Sequence, residues 1–119
     1  MSTHFHAVVW IDQHQARVFH FNADDSDAAV VHPAHHLQHP QEQTFFRAVV
    51  ESIGDAGAVL IGGPADTKHR LYRYIQAHAA ALLPRIAAVE PLDHPSDGEL
   101  LAHARRFFRA ADRMAPQRR

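Results

Sequence analysis

Apolar residues of the first third of the chain cluster in short segments that polar residues separate. These segments, rich in Val, Ile and aromatic residues, predict strands over residues 6–12 and 16–22, separated by a hairpin-length polar gap. An acidic turn then leads to a third short strand over residues 28–32. Because short polar turns join the three strands, we expect an antiparallel meander.

Beyond the meander the apolar spacing becomes helical. Apolar residues recur on one face over residues 42–53, which predicts a helix. A short unbroken apolar run at residues 58–61 predicts a strand buried on both faces. The next helix is expected to begin at Asp66 or Thr67, either of which can cap it, and to end at Pro84. Its inward stripe would consist of Leu71, Ile75, His78 and Leu82.

The last part of the chain adds one strand and one helix. Residues 85–92 predict a fifth strand, and Ser96 and Glu99 have the spacing of a capping box that opens the last helix. The order βββαβαβα predicts an α/β fold with a mixed five-stranded sheet, the arrangement of ribonuclease-H-like domains. We expect a single domain over residues 1–113 and a flexible basic tail over residues 114–119.

Composition narrows the class of protein. The 119 residues include no cysteine, which excludes disulfides, thiolate zinc and thiol catalysis. No apolar run approaches the roughly 20 residues that a bilayer requires, so we expect a cytoplasmic protein. Residues 1–60 contain two basic and seven acidic residues, which gives them a net charge of −5. Residues 61–119 contain ten basic and six acidic residues, which gives them a net charge of +4. Because imidazole becomes protonated as pH falls, the 12 histidines make the net charge of the whole chain more positive on acidification.

Basic residues collect on the outward faces of the last two predicted helices. The planar guanidinium donates paired hydrogen bonds to phosphate, so these faces favour contact with an RNA backbone. A solvated outer helix face is the alternative, and the sequence pattern does not choose between them. The residues expected to contact phosphate are Lys68, Arg70, Arg73, Arg105, Arg106, Arg109 and Arg113.

A histidine tract lies between Pro33 and Pro40, before the first predicted helix. His32, His35, His36 and His39 have spacing that would place them on one face of a helix, and imidazole is a good ligand for zinc, nickel or copper. The bracketing prolines and the lack of a carboxylate within the tract favour a polar, pH-sensitive loop instead. We expect no bound metal and no cofactor.

Carboxylates near strand ends suggest a second kind of chemistry. Nucleases of the ribonuclease-H type hold two metal ions with clustered Asp and Glu, and Asp12, Glu51 and Asp93 are the candidates here. The fourth strand, however, ends in glycines followed by Pro64 and supplies no carboxylate. A glycine turn at this position could instead bind an anion through backbone N–H groups, although the spacing of a P-loop is absent.

Several stretches resemble known translation factors. Gly63-Pro64 followed by Thr67-Lys68 resembles the central domain of Pelota and of the class-1 release factors of archaea and eukaryotes. The stretches at residues 8–12 and 93–100 (VVWID and DHPSDGEL) are similar to small bacterial proteins labelled "translational machinery protein". The resemblance spans nearly the whole chain and implies the same ribonuclease-H-like order of elements.

The resemblance implies a binding factor rather than a hydrolase. Release factors of this family carry Gly-Gly-Gln in the loop before the first helix, and this chain has no such motif. We therefore expect a non-enzymatic factor associated with the ribosome or with rRNA or tRNA, acting in rescue, release or stress. The loop expected to make this contact contains His32, His35, His36, Gln38, His39 and Gln41. The alternatives are the metal-dependent nuclease and a protein-interaction module that forms a homodimer through a sheet edge.

Overall fold

Five strands and three α-helices alternate in the expected order in the computed structural model, which describes residues 5–33 and 39–114. In chain order they are β1 (His6–Ile11), β2 (Ala16–Phe21), β3 (Ser26–Val31), α1 (His39–Ile53), β4 (Ala58–Gly63), α2 (Thr67–His78), β5 (Ile86–Pro91) and α3 (Asp97–Met114). A 3₁₀ helix, Ala80–Arg85, connects α2 to β5. The predicted order βββαβαβα is thus confirmed. None of the helices described is long and apolar enough to cross a bilayer.

The strands form one mixed sheet in the order β3-β2-β1-β4-β5. The meander is antiparallel, with Trp10 opposite Arg17 and Arg17 opposite Val30. β4 runs parallel to both β1 and β5. β1 is therefore the central strand, and both of its faces need cover, which explains its unbroken apolar sequence.

Two hydrophobic cores lie on opposite faces of this sheet. Val9 and Ile11 of β1 point toward α1 and α2, where they pack with Phe45, Phe46, Val49, Leu71 and Ile75. Val8 and Trp10 point the other way, toward α3, where they pack with Leu60, Leu100, Ala104 and Phe108. Helices α1 and α2 thus share one face of the sheet, and α3 covers the other.

The second helix ends earlier than its apolar spacing suggested. α2 stops at His78, and Ala79, with φ −145°, separates it from the 3₁₀ helix that contains Pro84. Leu82 is buried as expected, but His78 is exposed. The expectation that His78 lies on the inward stripe was therefore wrong: His78 is the last residue of α2, residues 76–78 at the end of the helix are exposed, and the ring of His78 lies 4.8 Å from that of Tyr74.

The glycine pair after the fourth apolar run does not form a turn. Gly62 and Gly63 lie inside β4, where Gly62 pairs with Trp10 of β1, so no anion-binding turn exists at this point. A Cβ added to Gly63 would lie 2.2 Å from the main-chain oxygen of Ile11. Glycine at residue 63 therefore allows β4 to approach β1 closely.

The segment between β5 and α3 is held against the meander by two side chains. The Nε1–H group of Trp10 donates to the main-chain oxygens of Asp93 (2.7 Å) and Leu92 (3.2 Å). The guanidinium of Arg17 donates to Asp97 Oδ1 (2.6 Å) and to the main-chain oxygen of Pro95 (2.9 Å). The Asp-His-Pro-Ser-Asp-Gly stretch therefore contributes directly to the docking of α3.

Candidate nucleic-acid interface

The basic residues expected to contact phosphate divide between two surfaces. Those of α2 lie on the face of the sheet that α1 shares, and those of α3 lie on the opposite face. A short RNA that contacts one surface therefore cannot reach the other without passing around the sheet.

Lys68 does not belong to either surface. Its side chain is buried, with 5% of the residue exposed, and its ammonium group donates to the main-chain oxygen of Ala65. The expectation that Lys68 contacts phosphate is therefore corrected. The long apolar stem of the side chain folds into the start of α2, and the charged end is satisfied locally.

Arg70 joins α1 to α2. Its Nε donates to Glu42 Oε2 at 2.9 Å, and its Nη1 donates to Asp66 Oδ2 at 3.1 Å. Burial acts to lower the pKa of Arg70, but the hydrogen bonds and charges of Glu42 and Asp66 outweigh it, so the pKa is raised. Arg70 is therefore charged, and Glu42 and Asp66 offset much of that charge while it positions the two helices.

A groove runs between α1 and α2 beside the ion pairs of Arg70. Two adjoining cavities of ≈350 and ≈280 Å³ share Gln43, Tyr74 and His78 as lining residues. Arg73 lines the first cavity, and Arg47 lines the second. We call the continuous depression formed by these residues the α1–α2 groove.

Three aromatic rings, those of Phe46, Tyr74 and His78, line the groove from the core outward and form what we call its aromatic floor. The ring of Phe46, which is buried, lies 5.8 Å from that of Tyr74, and the ring of Tyr74 lies 4.8 Å from that of His78. Tyr74 is half-buried and His78 exposed. The sequence analysis missed Arg47 and Tyr74, although the spacing of four between Tyr74 and His78 on a helix indicates adjacent rings.

Only the two ends of the histidine-rich stretch belong to the described residues. His32 is exposed after β3, and α1 begins at His39, so the chain enters the helix that carries Gln43 and Arg47. Of the other predicted loop residues, His35, His36 and Gln38 lie outside the described residues. The backbone of His39 and Gln41 belongs to the first turn of α1, and their side chains lie outside the description.

The arginines of α3 have different environments. Arg105 donates from Nε to the main-chain oxygen of Asn22 (3.0 Å) and from Nη2 to that of Asp25 (3.2 Å), so it braces the β2–β3 turn. Arg106 and Arg109 are exposed, and within the described part of the chain neither has an ion-pair partner. The side chain of Arg113 lies outside the description.

The carboxylates considered for a nuclease do not form a metal site in the described structure. Asp12 accepts hydrogen bonds from the main-chain N–H groups of His14 (2.8 Å) and Gln15 (2.9 Å), which stabilises the β1–β2 turn. Glu51 and Asp93 are exposed. Over residues 5–33 and 39–114, no three His, Asp or Glu side chains are placed to hold a metal ion together.

Solved structures of similar fold include two archaeal Pelota proteins and Dom34, a translation termination-like factor. The chain is similar to the Thermoplasma acidophilum Pelota protein, with a TM-score of 0.59 and 16% identity over 91% of this chain and 38% of that one. It is also similar to Archaeoglobus fulgidus Pelota (TM-score 0.56, 12% identity, 90% of this chain and 35% of that one). A third similar structure is Dom34 of S. cerevisiae, with a TM-score of 0.56 and 9% identity over 92% of this chain and 36% of that one.

These similarities establish the fold. The chain spans little more than a third of the length of these structures, and the sequence identities are low. No family model and no curated protein matches the chain, so the resemblance to a small bacterial family stays a prediction. The predicted likeness to Pelota is confirmed in the fold.

Proposed function

We propose that this protein is a ribosome- or RNA-associated factor that acts in translation by binding rather than by catalysis. Its structural neighbours support a role connected with translation, and one of them, Dom34, is described as a translation termination-like factor involved in RNA quality control pathways. The observation that carries the proposal is the α1–α2 groove, which is lined by the exposed residues Arg47 and Arg73 together with the rings of Tyr74 and His78.

The α1–α2 groove and the loop over residues 32–43 form the first proposed contact surface. Arginine in a groove that also presents rings suits RNA, because the guanidinium binds phosphate and the rings bind bases. The exposed residues Arg106 and Arg109 form the second surface, on the opposite side of the sheet. A factor inserted into a ribosomal cleft can meet RNA on both sides, so two opposed basic surfaces favour a ribosome as partner.

Two features of the chain support a proposal of binding without hydrolysis. It contains no Gly-Gly-Gln, the motif that the resemblance associates with peptide release. The described part also lacks an assembled carboxylate cluster of the kind that nucleases use to hold two metals. We expect neither peptide release from peptidyl-tRNA on ribosomes nor Mg²⁺- or Mn²⁺-dependent RNA cleavage above background.

The test is co-sedimentation of the protein with ribosomes across a salt series. The logarithm of the binding constant should fall linearly with the logarithm of the salt concentration, because phosphate contacts release counterions. Arg47→Gln with Arg73→Gln should weaken binding and flatten the slope. Absence of the protein from the ribosome pellet at every salt concentration contradicts the proposal.

An alternative is a protein-interaction module that pairs through β3. β3 is an edge strand, four of its six residues are exposed, and the exposed fraction of Val30 is 53%. Unpaired edges can add a strand from a second copy. Sedimentation velocity without RNA distinguishes this alternative, because a homodimer would show a sedimentation coefficient that rises with protein concentration.

A further inference from the structure

We call the rings of Tyr74 and His78 the platform: Tyr74 packs against the hydrophobic core, and His78 extends the aromatic surface into solvent. Their centroids lie 4.8 Å apart with the ring planes inclined by 36°, and the imidazole of His78 is exposed to solvent. Phe46 supports Tyr74 from below at 5.8 Å. A planar group could therefore lie on this platform without disturbing the hydrophobic core.

Positive charge is available at both ends of the platform. Arg47 is exposed and has no ion-pair partner among the described residues, and Arg73 is 3.8 Å from Asp66 with both side chains more than half exposed. Such an exposed pair contributes little to stability and exchanges readily. The nearby carboxylate of Glu42 is engaged by Arg70, so the acidic residues of the groove repel an anion only weakly.

The dimensions of the groove select among nucleic acids. Each cavity, ≈350 and ≈280 Å³, is near the lower end of the roughly 300–1,000 Å³ typical of small-molecule sites. This volume accommodates a single base with its sugar, whereas a stacked base in a duplex cannot expose its face to Tyr74 and His78. Gln43 lines both cavities and can exchange hydrogen bonds with the edge of a base.

We infer that the α1–α2 groove binds one unpaired nucleotide of single-stranded RNA, with the base stacked on Tyr74 and His78 and its neighbouring phosphates on Arg47 and Arg73. An acidic peptide would satisfy the arginines but would leave the rings without a partner, so nucleic acid is favoured over protein. The inference rests on the proposed function and specifies the RNA element that the factor recognises.

Three labelled RNA probes of equal length test the inference. They are a single-stranded decamer, the same decamer in a duplex, and a decamer in which the bases are removed but the phosphates remain. Base stacking on aromatic side chains contributes about 1–3 kcal/mol per base, so the single strand should bind at least about fivefold more tightly than the abasic probe. Equal affinity for the single strand and for the abasic probe shows that only phosphates are contacted and overturns the inference.

Substitutions on α2 separate stacking from charge. His78→Leu removes the exposed ring and should weaken binding of the single strand about fivefold, whereas His78→Phe keeps a ring and should retain affinity. Gln76→Leu, at another exposed residue of the same helix, is the matched control and should have no effect. A loss of the same size in His78→Leu and Gln76→Leu contradicts a stacking role. Because His78 is exposed, its variants should fold normally, which circular dichroism checks.

Charge is tested with one variant in the groove and one outside it. Arg73→Gln should reduce affinity for the single strand and for the abasic probe alike, whereas Gln76→Leu, which removes no charge from the same helix, should reduce neither. Polyglutamate that competes as well as RNA would assign the groove to an acidic peptide and overturn the inference.

Failure of the inference and failure of the proposed function are distinguishable. If ribosomes bind with a normal salt slope but His78→Leu binds the single strand like wild type, the inference fails and the proposed function stands. If neither ribosomes nor any RNA probe binds, both fail.

Discussion

The guanidinium of Arg17 lies over the indole ring of Trp10, with its Cζ 4.6 Å from the ring centroid. The two residues face each other across the β1–β2 pair, and both also reach the segment before α3. A single cation–aromatic pair thus joins the first hairpin to the last connection of the chain. The distinctive residues of that connection serve the fold, whereas the proposed RNA contacts lie elsewhere.

Trp10→Phe should destabilise the protein by about 1–3 kcal/mol, because the main-chain oxygens of Leu92 and Asp93 lose their donor. Urea unfolding followed by circular dichroism measures this loss. Asp93→Ala is the control: the bond uses the main-chain oxygen, so stability should hardly change. Equal stability of Trp10→Phe and wild type would show that the indole hydrogen bonds contribute nothing.

Gly63→Ala should destabilise the protein by about 1–3 kcal/mol or more, because its Cβ would lie 2.2 Å from the main-chain oxygen of Ile11 in the centre of the sheet. Gly98→Ala provides the comparison, since Gly98 lies in the first turn of α3 and a Cβ there meets nothing within 4 Å. This second change should stabilise by up to about 1 kcal/mol, since alanine favours a helix over glycine. Thermal unfolding of both variants tests the contrast.

Acid should weaken the start of α3. The main-chain N–H group and the hydroxyl group of Ser96 hydrogen-bond to Glu99 and lower its pKa. A carboxyl group whose pKa is lower in the folded state contributes stability above its unfolded pKa of about 4.3, and this contribution is lost as pH falls through the folded pKa.

Ser96→Ala should therefore raise the pKa of Glu99 toward its ordinary value, which NMR titration measures. The same change removes the hydrogen bond from the Glu99 N–H group to Ser96 Oγ (3.2 Å) and should cost about 1 kcal/mol at pH 7. The stability difference between wild type and Ser96→Ala should shrink below about pH 4. A difference that stays constant down to pH 2 contradicts the coupling between the two residues.

Replacing Arg106 and Arg109 together by Gln should weaken ribosome binding and lower the salt slope, yet leave binding of a short single-stranded RNA unchanged. The reason is the position of these residues across the sheet from the α1–α2 groove. Arg105 is kept because it braces the β2–β3 turn. An equal loss for ribosomes and for the oligonucleotide would show that both surfaces bind the same short RNA.

Much of the fold could be predicted because hydrophobic periodicity reports burial directly. The apolar runs of β1 and β4, the Val- and Phe-rich segment of β2 and the Ser96–Glu99 capping box all correspond to observed elements. The strand order also explains why α1 and α2 share a face: two right-handed crossovers that progress in the same direction along a sheet place their helices on the same side. Within the described residues α3 is not followed by a strand, so this rule does not constrain its face.

The site was less predictable because it depends on contacts between helices. The periodicity of α2 assigned His78 inward because its spacing places it on the face of Leu71 and Ile75, and spacing alone does not report that the last residues of the helix are exposed. The burial of Lys68 depends on where its long side chain folds, and no local pattern reports that. Arg47 lines the groove only because α1 packs beside Tyr74 of α2, and this helix contact cannot be read from local spacing.

Trp10 is the single tryptophan of the chain, and its indole contacts the segment before α3, including the ring of His94 at 5.2 Å. The natural fluorescence of the protein therefore originates across the sheet from the α1–α2 groove. Emission from this residue should change when the C-terminal helix detaches during unfolding. It should not change when a base occupies the groove. The molecule thus carries a built-in optical probe that separates loss of folding from loss of RNA binding in one sample.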